Sequence, residues 1–199
     1  FVVPEAENNM FPFFPDVHGA AFNPAQAMSK LTRWTVDMAS NTDEFDEIVP
    51  LTGTASEFPR IDDRFTGAKN RYTWGLEMDM SRPCELKGGS AGGFLMNCLF
   101  LKNLHDGSEQ HWWCGPVSSL QEPCFIPRSS DAAEGDGWIV MLCNRLENRN
   151  TDLLIFDALD IDKGPVATVH IPIRLRFGLH GNFARAEDIG LASKVAEPA

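Results

Sequence analysis

His180 is the residue whose type and surroundings most suggest chemistry. It lies in the segment Arg176-Phe-Gly-Leu-His-Gly-Asn-Phe183, after a strand-like stretch and between two glycines, Gly178 and Gly181. Glycines let the backbone pass close to a crowded site, and the end of a strand is a rigid mount for a metal-binding imidazole. A single histidine in such a setting is more often structural. The residues alone therefore leave both roles open.

Two glutamates each begin an apolar, proline-containing segment that reaches an arginine. Glu57 begins Glu-Phe-Pro-Arg, which ends at Arg60, and Glu122 begins Glu-Pro-Cys-Phe-Ile-Pro-Arg, which ends at Arg128. Such a carboxylate either pairs with its nearby arginine or orients a metal-binding imidazole. Without further information, the ion pair is the favoured interpretation for both glutamates.

The remaining histidines are weaker candidates for a functional role. His105 lies in a turn and His170 in a strand-like stretch, and both are interpreted as structural. His18 lies in a segment rich in proline and phenylalanine, 9–24, which we interpret as an ordered aromatic loop because prolines remove ladder donors. The chain contains no Gly-rich phosphate loop, no G-x-S-x-G and no H-E-x-x-H, so any active site must be assembled from distant residues.

The elements that must position these residues are short β-strands. Alternating or continuous apolar stretches separated by turn residues predict a mostly antiparallel all-β protein. A three-strand meander between 138 and 172 resembles most of one propeller blade, although a sandwich fits nearly as well. The predicted strands are 30–38, 71–78, 94–101, 110–114, 138–144, 153–157 and 166–171.

Composition and net charge limit the classes of protein to which the chain can belong. The 199 residues are 43% hydrophobic with a formal net charge of −11, so a sizeable core is possible and nucleic acid is excluded as a partner. No apolar run could span a membrane and no signal peptide is present, which predicts a soluble, cytoplasmic protein. The five scattered cysteines are interpreted as reduced core thiols.

Six segments together resemble, in order, the C-terminal motifs of carotenoid cleavage oxygenases. They extend over about 125 residues, and the resemblance is strongest to the lignostilbene dioxygenase branch through the segments 9–19 and 31–37. The six segments begin at Glu57, Glu122, Gly135, Leu153, Gly164 and Phe177.

The resemblance implies a fold and a metal site. The family fold is a seven-bladed β-propeller with iron(II) on its axis, held by four histidines with glutamates behind them. His180 is then the last of the four iron ligands, and Glu57 and Glu122 are the carboxylates behind the ligands. The other three histidines are expected upstream of Phe1, so the chain is the C-terminal part of a single propeller domain. Within 1–199 we expect an aromatic loop and short helical turn at 1–30, propeller strands at 31–184 and a tail at 185–199.

The implied reaction is oxidative cleavage of a conjugated carbon–carbon double bond by iron(II) and O2. For a stilbene the products are two aromatic aldehydes. Phe11, Phe13 and Phe14 are expected to line a tunnel for a small apolar aromatic or polyene substrate, or alternatively to cap the propeller core. An apocarotenoid-cleaving enzyme and a non-catalytic β-propeller binding module are the alternatives.

Overall fold

The computed structural model describes residues 1–7, 26–83, 96–176, 178 and 180–190. In these residues the chain forms twelve β-strands and two short 3-10 helices, at Asp63–Phe65 and Ile161–Lys163. The strands are β1 (Val2–Glu5), β2 (Lys30–Thr35), β3 (Glu47–Pro50), β4 (Ala55–Arg60), β5 (Tyr72–Met78), β6 (Cys98–Asn103), β7 (Glu109–Trp113), β8 (Ser118–Leu120), β9 (Cys124–Pro127), β10 (Gly137–Arg145), β11 (Asn150–Asp157) and β12 (Ala167–Ile171).

The described strands form three antiparallel sheets in which strands that follow one another pair with each other, except for β8 and β9. The first sheet has the order β1-β2-β3 and the second β4-β5-β6-β7. The third runs β12-β11-β10, with β8 and β9 both pairing with β10 at its free edge. Each sheet is therefore a meander, the arrangement of a propeller blade.

The main core lies between the second and third sheets. Strand β10 alternates buried and half-buried residues, and Ile139 and Met141 point into this core together with Leu154 and Phe156 of β11. Trp74 of β5 stacks on Phe125 of β9, with ring centroids 5.0 Å apart. Each fully buried side chain of this kind contributes roughly 1.5–3 kcal/mol to folding.

The first strands of the second and third sheets are both interrupted at a glutamate. In β4 the register shifts between Glu57 and Arg60, and Phe58 has a positive φ of 56°. In the third sheet, β8 ends at Leu120 and β9 begins at Cys124, so Glu122 lies in the gap. A proline in each interruption lacks the donor that a ladder requires, and bulges of this kind redirect side chains.

The predicted all-β meander is confirmed, and the seven predicted strands correspond to observed strands with shifted ends. Five strands, β1, β3, β4, β8 and β9, were not predicted. The prediction of a loop and short helical turn at 1–30 is wrong at Val2–Glu5, which form a strand paired with β2. The aromatic loop, with Phe11, Phe13, Phe14 and His18, lies outside the described residues.

The described cysteines are free, as predicted: Cys98, Cys114 and Cys143 are buried and Cys124 is half-buried. Burial raises the pKa of the Cys98 thiol to about 12, so this thiol stays protonated. The fifth cysteine, Cys84, lies outside the described residues. Within the part of the chain that the structure describes, no helix is long and apolar enough to cross a membrane.

Candidate metal centre

His180 lies on an irregular segment and not at a strand end. Strand β12 already ends at Ile171, so the predicted rigid mount, a strand running directly into the histidine, is wrong. The segment is instead tied to the third sheet by side chains. The amide of Leu175 donates to Thr151 Oγ1 at 3.0 Å, and the amide of Gly178 donates to Gln121 Oε1 at 3.0 Å.

The two glycines beside His180 differ in what they permit. A Cβ at Gly178 would lie 2.9 Å from Oε1 of Gln121, the residue after β8, so this flexible side chain would have to shift and its hydrogen bond with the Gly178 amide would be disturbed. A Cβ at Gly181 would meet nothing within 4 Å among the described atoms. Of the two glycines, only Gly178 thus lies close to a neighbouring side chain among the described atoms.

Glu122 contacts His180 directly. Its Oε2 lies 3.3 Å from His180 Nδ1 and accepts a hydrogen bond from the amide of Gly181 at 2.7 Å. The Glu122 side chain is 9% exposed, whereas the imidazole is 72% exposed. A carboxylate beside Nδ1 favours the proton on that atom, which leaves the lone pair on Nε2. No described residue forms a hydrogen bond with Nε2.

Arg60 holds the other side of the same carboxylate. Its Nε lies 3.2 Å from Glu122 Oε1, at an angle that makes the contact an ion pair without an aligned hydrogen bond. Its Nη2 donates to the carbonyl oxygen of Gly181. Glu122 therefore contacts both an arginine and an imidazole, but the arginine is Arg60 and not Arg128. Arg128 pairs instead with Asp136 and Asp157.

The interruption of β4 also supplies an aromatic contact. The ring of Phe58 meets the ring of His180 edge to face, with centroids 5.9 Å apart. Phe58 and Arg60 thus approach the His180 segment from the second sheet, while Glu122 approaches it from the third. Sequence reasoning missed Phe58, because its placement depends on a backbone conformation that phenylalanine rarely adopts.

Glu57 has a different environment. Its Oε1 accepts a hydrogen bond from the hydroxyl of Ser29, whose oxygen also lies 3.1 Å from the carbonyl oxygen of Ser56. Among the described residues Glu57 forms neither the favoured ion pair with Arg60 nor a hydrogen bond with His180. The structure therefore brings Glu122 to His180 but leaves Glu57 apart from both.

A cavity of about 460 Å³ opens beside His180. Apolar side chains from β9, β10 and β11 form much of its wall, and Glu122, His180 and Asn182 lie at its polar side. A space of this volume is in the range of small-molecule sites.

The local chemistry around His180 is repeated at His170. The Nδ1 atom of His170 lies 2.7 Å from Asp152 Oδ1, and Arg145 Nε lies 2.7 Å from Asp152 Oδ2. His170 is 75% exposed and Asp152 6% exposed. The two histidines differ in position, because His170 is on β12, at the edge of the third sheet farthest from β8 and β9.

The residue types and hydrogen bonding around His180 are suited to a metal ligand. An imidazole with its Nδ1 on a buried carboxylate and its Nε2 unoccupied by any described side chain is a usual metal-ligand arrangement. Among the described residues no group of three or more histidine, cysteine, aspartate or glutamate side chains could hold a metal by itself. His180 thus offers one nitrogen ligand.

The sequence model of the family described as retinal pigment epithelial membrane protein matches residues 2–185. The chain belongs to this family, that of the carotenoid cleavage oxygenases. Lignostilbene-alpha,beta-dioxygenase isozyme III of Sphingomonas paucimobilis is 49% identical to this carotenoid oxygenase chain over 193 residues. That alignment covers 97% of the chain and 39% of the relative.

Solved structures of the family agree with the fold. The crystal structure of Pseudomonas brassicacearum lignostilbene dioxygenase has a TM-score of 0.79 and 39% identity, covering 88% of this chain and 36% of that one. Cobalt-substituted apocarotenoid oxygenase of Synechocystis has a TM-score of 0.67 and 27% identity, covering 79% and 30%. The matched part of the chain thus spans between 30% and 39% of the length of these relatives.

Proposed function

We propose that this chain is part of a non-haem iron(II) dioxygenase that cleaves the central double bond of a stilbene with O2 to give two aldehydes. The single observation that carries the proposal is the Glu122–His180 contact in a chain of this family, with Nδ1 on the carboxylate and Nε2 left for a metal. The 49% identity to a lignostilbene dioxygenase supports the substrate class.

The proposed metal site extends beyond this chain. We propose that His180 is one of four histidine ligands and that the other three lie upstream, on further blades of a seven-bladed propeller. Four neutral imidazoles leave the charge of iron(II) uncompensated, and Glu122 and Glu57 offset it from behind the ligands. Glu57 would serve a ligand other than His180, because its described contact is with Ser29. The protein is proposed to act in the cytoplasm.

Iron(II), when bound, would supply the activation of dioxygen. The other roles that we propose belong to residues of this chain. His180 presents Nε2, and Glu122 keeps the proton of the imidazole on Nδ1. The apolar wall of the adjacent cavity excludes water from one side of the site. Phe11, Phe13 and Phe14 are proposed to line the substrate tunnel.

Position favours His180 over His170 as the ligand. The His180 segment is held where the interrupted first strands of two sheets converge, through Arg60 of β4 and Glu122 between β8 and β9. First strands are the innermost strands of propeller blades and face the axis, where the family's iron is expected. His170 lies on the outermost strand of the same sheet.

The test uses the complete protein that contains this chain. Near-stoichiometric iron after anaerobic preparation, and aldehyde formation from a hydroxylated stilbene, are the expected results. His180→Ala should abolish both, while His170→Ala, the matched control, should leave both unchanged. A His180→Ala variant with full iron content and turnover would refute the assignment.

A second candidate substrate is an apocarotenoid, which the likeness to the Synechocystis apocarotenoid oxygenase favours. Incubation with a hydroxylated stilbene and with an apocarotenal, followed by detection of the aldehydes, separates the two. A protein that binds no iron and cleaves neither compound would instead be a non-catalytic β-propeller binding module.

A further inference from the structure

We propose that Arg60 is a positioning residue for the iron ligand His180. It acts through two contacts, one to the Glu122 carboxylate and one to the carbonyl of Gly181. This inference rests on the proposed function, because it assumes that His180 binds the metal.

Arg60 joins segments that are distant in the sequence. It extends from the interruption of β4 in the second sheet to Glu122 in the third sheet and to the backbone beside His180. Its own backbone is held in place, since Thr73 Oγ1 donates to the carbonyl of Arg60 at 3.1 Å. The Arg60 and Glu122 side chains are 20% and 9% exposed, so solvent competes little for these contacts.

The two oxygens of Glu122 have divided roles. Oε2 faces His180 Nδ1 and the Gly181 amide, whereas Oε1 faces Arg60. Rotation about the terminal torsion of a glutamate is otherwise broad and roughly two-fold. The guanidinium therefore fixes the rotation of the carboxylate, and with it the direction in which Oε2 approaches the imidazole.

The second contact acts on the backbone. Gly181 follows His180 directly, and its amide is bound by Glu122 while its carbonyl is bound by Arg60. The peptide groups before and after Gly181 are thus both held by the Arg60–Glu122 ion pair. A guanidinium can make both contacts at once because Nε and Nη2 belong to one rigid, planar, charged group, so that Nη2 donates to the carbonyl while Nε lies beside the carboxylate; a lysine ammonium is a single point charge.

Removal of Arg60 has two opposed effects on a bound cation. Loss of a positive charge near the site would by itself strengthen metal binding, whereas loss of positioning would weaken it. The sign of the change in iron affinity therefore distinguishes a positioning residue from a mere neighbouring charge. Arg145 provides the matched control, because it forms the equivalent ion pair to Asp152 behind His170.

The experiment compares Arg60→Gln, Arg60→Lys and Arg145→Gln in the complete protein. Iron(II) dissociation constants are measured by chelator competition, the visible absorption of the cobalt(II)-loaded protein reports ligand geometry, and thermal unfolding reports stability. Arg60→Gln should raise the iron(II) Kd about 10- to 100-fold and change the cobalt spectrum, as loss of other groups behind metal ligands does. Arg60→Lys should give a smaller rise in Kd, because the charge is kept without the fork.

Arg145→Gln should lower the unfolding temperature and leave the Kd and the spectrum unchanged. An unchanged or lower Kd in Arg60→Gln would overturn the inference, and if that variant does not fold, an unchanged Kd in Arg60→Lys does so. If the wild-type protein binds neither iron nor cobalt, the proposed function is refuted as well. This outcome differs from an unchanged Kd in an Arg60 variant of a metal-binding protein, so failure of the inference can be distinguished from failure of the proposed function.

Discussion

The rings of Phe58 and His180 meet edge to face, with their centroids 5.9 Å apart. Phe58 reaches this contact from the interruption of β4, with φ at 56°, a conformation that costs a non-glycine residue about 1–2 kcal/mol. The ring also packs against the main core. The backbone strain and the contact with His180 therefore occur at the same residue, as is common at functional sites.

Phe58→Ala should weaken iron(II) binding modestly. An aromatic pair of this geometry contributes about 0.5–1.5 kcal/mol, which corresponds to a change of about 2- to 10-fold in Kd. Chelator competition on the complete protein measures the change. The control is Phe45→Ala, which should not alter iron affinity. It removes a ring whose centroid lies 4.7 Å from that of Trp34, a residue of β2 in the first sheet. Equal effects from both substitutions would contradict a specific role for Phe58.

Glu122→Gln should reduce iron affinity about 10- to 100-fold, because the neutral amide keeps the shape of the side chain but is a weaker acceptor for the Nδ1 proton and forms no ion pair with Arg60. The same replacement behind the other histidine, Asp152→Asn, should leave iron content intact. Metal analysis after dialysis against a chelator checks both variants. Full iron retention in Glu122→Gln would show that the carboxylate serves stability alone.

Gly137→Ala should destabilise the protein. A Cβ at this position would lie 2.2 Å from the carbonyl oxygen of Ile126 and 2.8 Å from the ring of Phe125, both on the paired strand β9. Overpacking of this kind costs about 1–3 kcal/mol. Gly53→Ala, where no described atom lies within 4 Å of the new Cβ, should change the free energy of unfolding by less than about 0.5 kcal/mol. Urea denaturation of the two variants measures the difference.

His111 should make stability depend on pH. Its Nδ1 lies 2.5 Å from Glu77 Oε1, and this hydrogen bond, together with a weaker one to Glu109, raises the pKa of His111 above its ordinary 6.5. A raised pKa in the folded state means that the stabilisation is complete below about pH 6.5 and is lost as the pH rises through the folded-state pKa.

The unfolding temperature should therefore fall as the pH rises above about 6.5, and His111→Gln should reduce that fall. Because the imidazole is partly exposed, solvent screening keeps the effect small. Parallel pH profiles for the wild-type protein and the variant would count against the assigned interaction.

The sequence by itself determined the fold class, the longer strands and the family. Hydrophobic alternation is a local signal, so β10 and β11 were predicted within a few residues of their observed ends. The motif around His180 carried the prediction that this residue is an iron ligand. Strands β4, β8 and β9 escaped prediction because bulges and prolines break the alternation on which such predictions depend.

Only the tertiary structure decided the partners of the site residues. Glu122 was expected to pair with Arg128, close by in the sequence, yet its arginine is Arg60 of another sheet. Glu57 was expected to pair with Arg60 and instead accepts a hydrogen bond from Ser29. Contacts of this kind depend on strand register and on how the sheets pack, since both set which side chains meet across an interface. Local sequence carries no record of that geometry, which is why His180 could be singled out from the sequence whereas the pairing of Arg60 with Glu122 could not.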